Sequence, residues 1–317
     1  LEAAEGMTAL TSLIVWRRDS VLVEEYYRGL RPTQPVNVKS VSKTLLSPMV
    51  GIALRDGLLE SVDQPLSELL PDYYDILRGR NDFDPRKEEI LLRHVLGMRT
   101  GIETASFGNY GAWAASPDWA YDQLRRPMVC DPGECHEYST GNTHLLSVIL
   151  TRRSGKSLRR YMQDELFRPM GIGLGEWDRD PQGRYLGGNT MSLSPRDMLK
   201  FGQLYANGGR FEGRQLVPEE WIRASWQSTG ASRWNGHGYG YLWWIRRWGG
   251  ERAYFAWGYG GQFIVVVPRL DLVIVATSSL RNRQRGHTRN MWRFFDRYAV
   301  PAFRVGWGAE AADDGLL

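Results

Sequence analysis

Strand-like sequence lies at the two ends of this chain and almost nowhere between, and that distribution limits the folds open to it. Near the start, Leu13-Ile14-Val15-Trp16, a turn over 17–20 and Val21 to Tyr27 have the pattern of a β-hairpin. Near the end, Tyr239 to Arg246, Ala253 to Trp257, Gln262 to Val267 and Leu272 to Ser278 read as strands, separated by Gly249-Gly250, Gly260-Gly261 and Pro268-Arg269. The stretch 72–190 is helix and loop. Short links between consecutive strands make antiparallel neighbours, so we expect a central antiparallel sheet built from both chain ends and flanked by helices, an α/β fold of the α+β type. The expected division is a sheet domain over 1–60 and 190–317 and a mostly helical inserted domain over 61–189. A parallel nucleotide-binding sheet would need strands alternating with helices and a glycine-rich phosphate loop, and the sequence has neither.

The helices announce themselves by their ends. Ser194-Pro195-Arg196-Asp197 supplies a cap, a proline at the first helical position and a first-turn acid, and Gly208-Gly209 stops the helix. Thr143 to Arg153, Leu158 to Phe167, Pro218 to Trp226 and a stretch around Asn290 to Tyr298 are the other clear helices of the second half. The segment 105–120, rich in Gly, Ala, Ser and Trp, has no period and reads as a surface loop.

One helix of the first half carries a chemical pattern. In Lys39-Ser40-Val41-Ser42-Lys43-Thr44-Leu45-Leu46, continued to Leu54 and closed by Asp56-Gly57, apolar residues fall on one face and Ser40 stands at the start. Lys43 follows one turn along on the same side. A hydroxyl at a helix start beside an amine that burial can neutralise is what an acyl-transfer nucleophile needs. The ordinary reading is a serine N-cap with a solvated lysine. Chance supplies about one Ser-x-x-Lys in an average chain of this length, and roughly a third of one here, because the chain has only five lysines.

Composition narrows the function classes. With 42% apolar residues the chain has ample material for a large core, and a net charge of +4 with arginines scattered among 36 acids offers no basic block for nucleic acid. No apolar run reaches membrane-spanning length and no signal peptide is visible at Leu1. The sequence carries no signal of oligomeric state. Cys130-Asp131-Pro132-Gly133-Glu134-Cys135 holds both cysteines around a type II turn, which brings them near disulfide distance. A local disulfide and two free thiols are equally compatible with it. Zinc is disfavoured, because His136 and His144 miss the paired-ligand spacing and Thr140 stands where a metalloprotease helix needs its second histidine.

Two further constellations matter. Glu137-Tyr138-Ser139-Thr140-Gly141-Asn142 precedes a helix, and a tyrosine there can present its hydroxyl to a cleft, where a cation such as Lys43 would favour the phenolate. A lone tyrosine is more often packed on the core with its hydroxyl bonded to backbone. Trp257-Gly258-Tyr259-Gly260-Gly261-Gln262 opens a strand with glycines that let a substrate approach backbone N–H groups. The alternative there is a hairpin turn with a small bulge.

In this order and setting the three motifs resemble the serine β-lactamase and penicillin-binding-protein superfamily, in its class C-like branch. That branch includes D-amino-acyl peptidases, family VIII carboxylesterases and 6-aminohexanoate-dimer hydrolases. Ser-x-x-Lys is a signature of penicillin-recognising enzymes. Gly57-Leu58-Leu59-Glu60-Ser61-Val62-Asp63-Gln64-Pro65, Leu92-Arg93-His94-Val95-Leu96 and Ser192-Leu193-Ser194-Pro195-Arg196-Asp197-Met198 extend the likeness over residues 10–300. The resemblance implies a β-lactamase/transpeptidase-like fold with the active site between its two domains. Ser40 would be the acylated nucleophile, Lys43 would take or relay its proton, and Tyr138 would serve as base in one half-reaction and acid in the other. The backbone N–H groups of Ser40 and Tyr259 would form the oxyanion hole, and no metal or organic cofactor would be needed.

Two departures set the expected substrate. The Lys-Thr-Gly of β-lactamases and peptidases is absent, Ala256-Trp257-Gly258-Tyr259 standing in its region, and Thr140 occupies the place of the amide-binding asparagine, with Asn142 two residues on. Both resemble the esterase and aminohexanoate-hydrolase branch. We therefore expect a serine hydrolase of small esters or amides, with a β-lactamase or D-amino-acyl carboxypeptidase, and then a non-turnover penicillin-binding sensor, as the alternatives. Candidate substrate contacts are Thr140, Asn142, Trp257, Gly258, Gly260, Tyr110 and Trp113. Seven tryptophans fall between Trp221 and Tyr259, most of them expected in the core. Periplasmic or secreted localisation is expected from the family and from the cysteine pair.

Overall fold

The computed structural model describes residues 1–282 and 284–304; the end of the expected sheet domain, 305–317, lies outside the described residues. Among the described residues the centre is one eight-stranded sheet. Its strands are β1 (Leu10–Arg17), β2 (Ser20–Tyr26), β3 (Gly230–Ala231), β4 (Gly238–Tyr239), β5 (Trp244–Trp248), β6 (Glu251–Gly258), β7 (Gln262–Val267) and β8 (Leu272–Ser278). They lie in the order β2-β1-β8-β7-β6-β5-β4-β3 with every neighbouring pair antiparallel. The two chain ends meet along one seam, β1 on β8, where Ile14 faces Val275 and Trp16 faces Val273. The β1–β2 turn places Arg18 and Asp19 at φ 45° and 64°, the two positive values that a type I′ hairpin requires.

Every residue of β7 and β8 is buried, because both faces of the sheet are covered, which is why these strands read as unbroken apolar runs. The main helices are α1 (Val41–Arg55), α2 (Thr140–Ser154), α3 (Pro195–Ala206), α4 (Glu219–Ser225) and α5 (His287–Phe294). On one face α3 comes so close that a Cβ on Gly202 would lie 2.4 Å from Val273. On the other, Phe295 beyond α5 meets Phe263 and Trp248, ring centres 5.2 and 5.0 Å away. One continuous apolar core joins Val275 of the sheet to Leu92 and Leu145 of the helical stretch. Among the described residues no helix is long and apolar enough to cross a membrane.

Three local expectations change. The run Tyr239 to Arg246 is not one strand: Leu242 turns to φ 65°, its N–H donates to the Leu96 carbonyl and its carbonyl accepts from Thr44 Oγ1 at 2.7 Å. Those partners come from helices distant in sequence, so no local pattern reveals them. Segment 105–120 is not bare loop, since Tyr110–Ala114 is helical and Trp113 is fully buried. Helix α2 begins at Thr140, three residues before its expected start.

Helix α1 is held against α4 by a glycine contact: a Cβ on Gly51 would fall 2.3 Å from Trp221 Cγ. Gly51→Ala must therefore push the two helices apart, and denaturant unfolding should show a loss of about 1–3 kcal/mol despite alanine's better helix propensity. An unchanged midpoint would contradict this packing.

Candidate active site

The chain enters α1 from a short pairing of Val36–Asn37 with Ser192–Leu193, and the Val38 N–H donates to the Met191 carbonyl at 2.9 Å. Lys39 then takes φ 54°, a left-handed turn that costs a non-glycine residue on the order of 1 kcal/mol and swings the next residue into the cleft. That residue is Ser40. Its hydroxyl caps no backbone N–H, so the ordinary N-cap reading is not realised. Instead Lys43 Nζ donates to Ser40 Oγ at 3.2 Å, and the Tyr138 hydroxyl is hydrogen-bonded to the same side chain. Ser42 turns away and donates to the Lys39 carbonyl at 2.6 Å.

Lys43 is 1% exposed, so it is no solvated lysine. Besides Ser40, its ammonium group reaches Thr140 Oγ1 at 3.0 Å and the Gly188 carbonyl at 2.7 Å, a partner for each of three donors. None of the three is an anion. Burial pushes its pKa down to about 7, which brings the free amine within reach near neutral pH. Burial also pushes the Tyr138 phenol well above its ordinary value, with the Ser40 hydrogen bond acting the other way. This corrects the expectation of a phenolate. Lys43 Nζ lies 5.1 Å from the Tyr138 ring centre, yet the burial that raises the phenol also discharges the cation that would have favoured its ionised form.

The carbonyl that receives Lys43 is braced from behind. The Gly187 N–H donates to His144 Nδ1 at 3.3 Å, which leaves the proton on Nε2, and Nε2 lies 3.0 Å from Asp180 Oδ2. Arg184 Nε donates to the same carboxylate oxygen at 2.6 Å. Burial lowers the pKa of His144, in keeping with that neutral tautomer. A Cβ on Gly188 would lie 2.6 Å from Lys43 Cγ, so the segment approaches the lysine as only glycine permits.

Tyr138 is positioned by a disulfide-closed loop. Cys130 and Cys135 are bridged with Cα atoms 6.3 Å apart, which decides between the two readings of the pair. Inside the bridge the Glu134 N–H donates to the Asp131 carbonyl at 3.1 Å and Gly133 takes φ 87°, as a type II turn requires. Downstream, Thr104 Oγ1 donates to the Tyr138 carbonyl at 2.6 Å, and the ring stacks on Trp244 at 5.4 Å. His136 packs edge-on against Tyr239. Among the described residues no group of three or more His, Cys, Asp or Glu is gathered as a metal site would need.

Ser40, Tyr138 and Tyr259 share a cleft with two lobes. Phe107, Trp234, Trp244 and Trp257 wall the first; Lys39, Ser106, Tyr110, Thr140, Asn189 and Leu280 line the second. Gly258 lets the end of β6 reach the segment leading to Ser40, since a Cβ there would lie 2.3 Å from the Val38 carbonyl. Gly260 follows at φ 90° in the turn to β7. Thr140 Oγ1 sits between Lys43 and Ser106 Oγ, 2.9 Å from the latter, and the Tyr110 hydroxyl accepts from Asn189 at 3.0 Å.

Two expected substrate contacts are core residues instead. Asn142 is fully buried, its carbonyl oxygen accepting from Gln123 at 3.1 Å and its amide donating to Thr100 at 3.3 Å. One position inside α2 points it into the protein. Trp113 packs with Trp119 and Leu186 and donates to the Trp119 carbonyl at 2.8 Å. Sequence reasoning also missed Ser106, Phe107, Asn189 and the Gly188 carbonyl, two adjacent pairs on two segments with no motif around them. Trp234 and Trp244 lay within the tryptophan-dense stretch, whose density was the available signal.

With this geometry in place, residues 4–295 match the Beta-lactamase family, and the chain belongs to it. It is 24% identical over 311 residues to the 6-aminohexanoate-dimer hydrolase of Paenarthrobacter ureafaciens, with 88% of this chain and 75% of that one covered. Among solved structures, EstCE1, a hydrolase with promiscuous acyltransferase activity, is similar with a TM-score of 0.74 at 13% identity, over 92% of this chain and 97% of that one. A D-stereospecific amidohydrolase from Streptomyces sp. is similar with a TM-score of 0.70 at 15% identity, over 93% and 96% of the two chains. The expected α+β fold of this family is thus the fold observed.

The discharge of Lys43 has a thermodynamic signature. Its folded pKa of about 7 lies below the 10.5 of a free lysine, so the unfolded chain takes up a proton that the folded one resists. The associated stability is fully present above the free-lysine pKa and is lost as pH falls toward 7, below which it levels off. Urea unfolding from pH 7 to 10 should show a steeper rise of stability with pH in the wild type than in Lys43→Met. Equal slopes would mean that Lys43 is solvated.

Proposed function

We propose that this protein is a serine hydrolase that cleaves small carboxylic esters or amides through an acyl-enzyme on Ser40. The observation that carries the reading is the Ser40 hydroxyl held by the buried Lys43, whose pKa burial lowers, beside the half-buried Tyr138 phenol where the two lobes of the cleft meet. Free Lys43 amine takes the proton as Ser40 Oγ attacks the carbonyl carbon. The backbone N–H groups of Ser40 and Tyr259 stabilise the oxyanion. Tyr138, a phenol at rest, donates its proton to the leaving group and recovers one from the Lys43 ammonium that faces its ring. In the second half-reaction water attacks the acyl carbon, its proton passes to this Lys43–Tyr138 pair, and Ser40 Oγ leaves with a proton returned.

The substrate class is supported by what stands beside the nucleophile. Trp257-Gly258-Tyr259 stands in the region of the Lys-Thr-Gly that would meet a β-lactam carboxylate, and the similar proteins include a 6-aminohexanoate-dimer hydrolase, a D-stereospecific amidohydrolase and a hydrolase with acyltransferase activity beside β-lactamases and a penicillin-binding protein homologue. We also infer an oxidising location, periplasmic or secreted, supported by the Cys130–Cys135 bridge.

A fluorophosphonate probe should label Ser40, and Ser40→Ala should abolish labelling and lower ester turnover by about 10⁴-fold or more. Hydrolysis in the wild type should rise as pH increases through about 7, where Lys43 loses its proton, and then hold level. Efficient turnover of a chromogenic cephalosporin with a nitrophenyl ester ignored would favour the β-lactamase alternative. A burst with no steady state would favour the sensor.

A further inference from the structure

We propose that the aromatic lobe of the cleft is a subsite for a flat, uncharged aryl group, so that the preferred substrates are aryl-bearing esters or amides. This rests on the acyl-enzyme reading of Ser40 and deepens it. The first observation is the exposure of large rings at the mouth: Phe107, Trp234 and Tyr259 are 58%, 58% and 59% exposed. Apolar surface of this size gathered in one place is a cost in water that a bound partner would recover.

The second is the order of the walls. Trp234 and Trp257 stack with ring centres 5.3 Å apart and planes within 3°, and Phe107 leans on Trp234 at 5.4 Å. Behind Tyr138, Trp244 is nearly parallel at 28°. The rings support one another, so a guest ring would meet faces and edges already set, in the offset or edge-on contacts that aromatic pairs favour. The lobe is small, about 80 Å³, which limits a guest to one compact group.

The third is charge, which decides between two guests. Aromatic walls accept organic cations as well as neutral rings. Among the described residues no charged side chain lines this lobe, and the basic Lys39 lines the adjoining one. An ammonium group would gain the ring faces but find no carboxylate among these lining residues to pair with, whereas a neutral ring needs none.

The test uses matched esters: methyl phenylacetate against methyl hexanoate for the acyl side, benzyl acetate against hexyl acetate for the alcohol side, and methyl 6-aminohexanoate as the cationic control. In at least one pair the aryl member should have a kcat/KM about 10-fold higher or more, with the ammonium ester poorest. Trp234→Ala and Phe107→Ala, at exposed positions, should each reduce that aryl-to-alkyl ratio severalfold through the KM of the aryl ester. Alkyl esters equal to aryl ones in both pairs, the ammonium ester preferred, or a ratio unchanged in both variants would overturn the proposal. Fluorophosphonate labelling of Ser40 is read in the same samples. Labelling and ester turnover without aryl preference defeat the subsite alone, and absence of both defeats the acyl-enzyme reading with it.

Discussion

Among the described residues no carboxylate answers the charge of Lys43. A lysine this deep persists by giving up its proton or by having every donor satisfied, and here it does both in part. Its three partners come from three places in the chain: Ser40 at the start of its own helix, Thr140 at the start of α2, and the Gly188 carbonyl on the segment that His144 and Asp180 brace. The amine can therefore sit where it does only when α1, α2 and the 187–188 segment are all docked. Folding and the electrostatics of the site are one event.

The same burial sets the division of labour between lysine and tyrosine. Removing water disfavours the ammonium and the phenolate alike, so burial favours the amine at Lys43 and the phenol at Tyr138. A charge exchanged between them during reaction would be felt strongly in that dry setting. The aromatic walls contribute here too, since Trp244 packed against Tyr138 excludes water from one side of the hydroxyl as well as shaping the cleft.

Much of the fold was legible because its signals are local. Gln262–Val267 and Leu272–Ser278 are strands at the expected bounds, and the cap, proline and acid at Ser194 to Asp197 open α3 as read. Failures fell where a distant group takes over a backbone or side chain. Leu242 breaks an apparent strand because Thr44 and Leu96 bond to it, and Asn142 leaves the cleft because Gln123 and Thr100 claim it. At the site, Ser40, Lys43 and Tyr138 were legible because their spacing along the chain is short or motif-bound. Ser106, Trp234 and the Gly188 carbonyl were not, because each becomes part of the cleft only when its loop folds over it.

By itself the sequence determined the antiparallel plan, the start of α1 at Ser40 and the motifs that hold Lys43 and Tyr138, since hydrophobic period, caps and turns act within a few residues. It left open the pairing of the cysteines, the protonation of Lys43 and Tyr138, and the walls of the cleft. Only the tertiary structure decided those. A disulfide depends on where two Cα atoms come to rest, a pKa on how much water is removed and what charge stays nearby, and an aromatic lobe on residues 107, 234, 244 and 257 meeting in space. Each is a property of neighbours that the chain brings together only by folding.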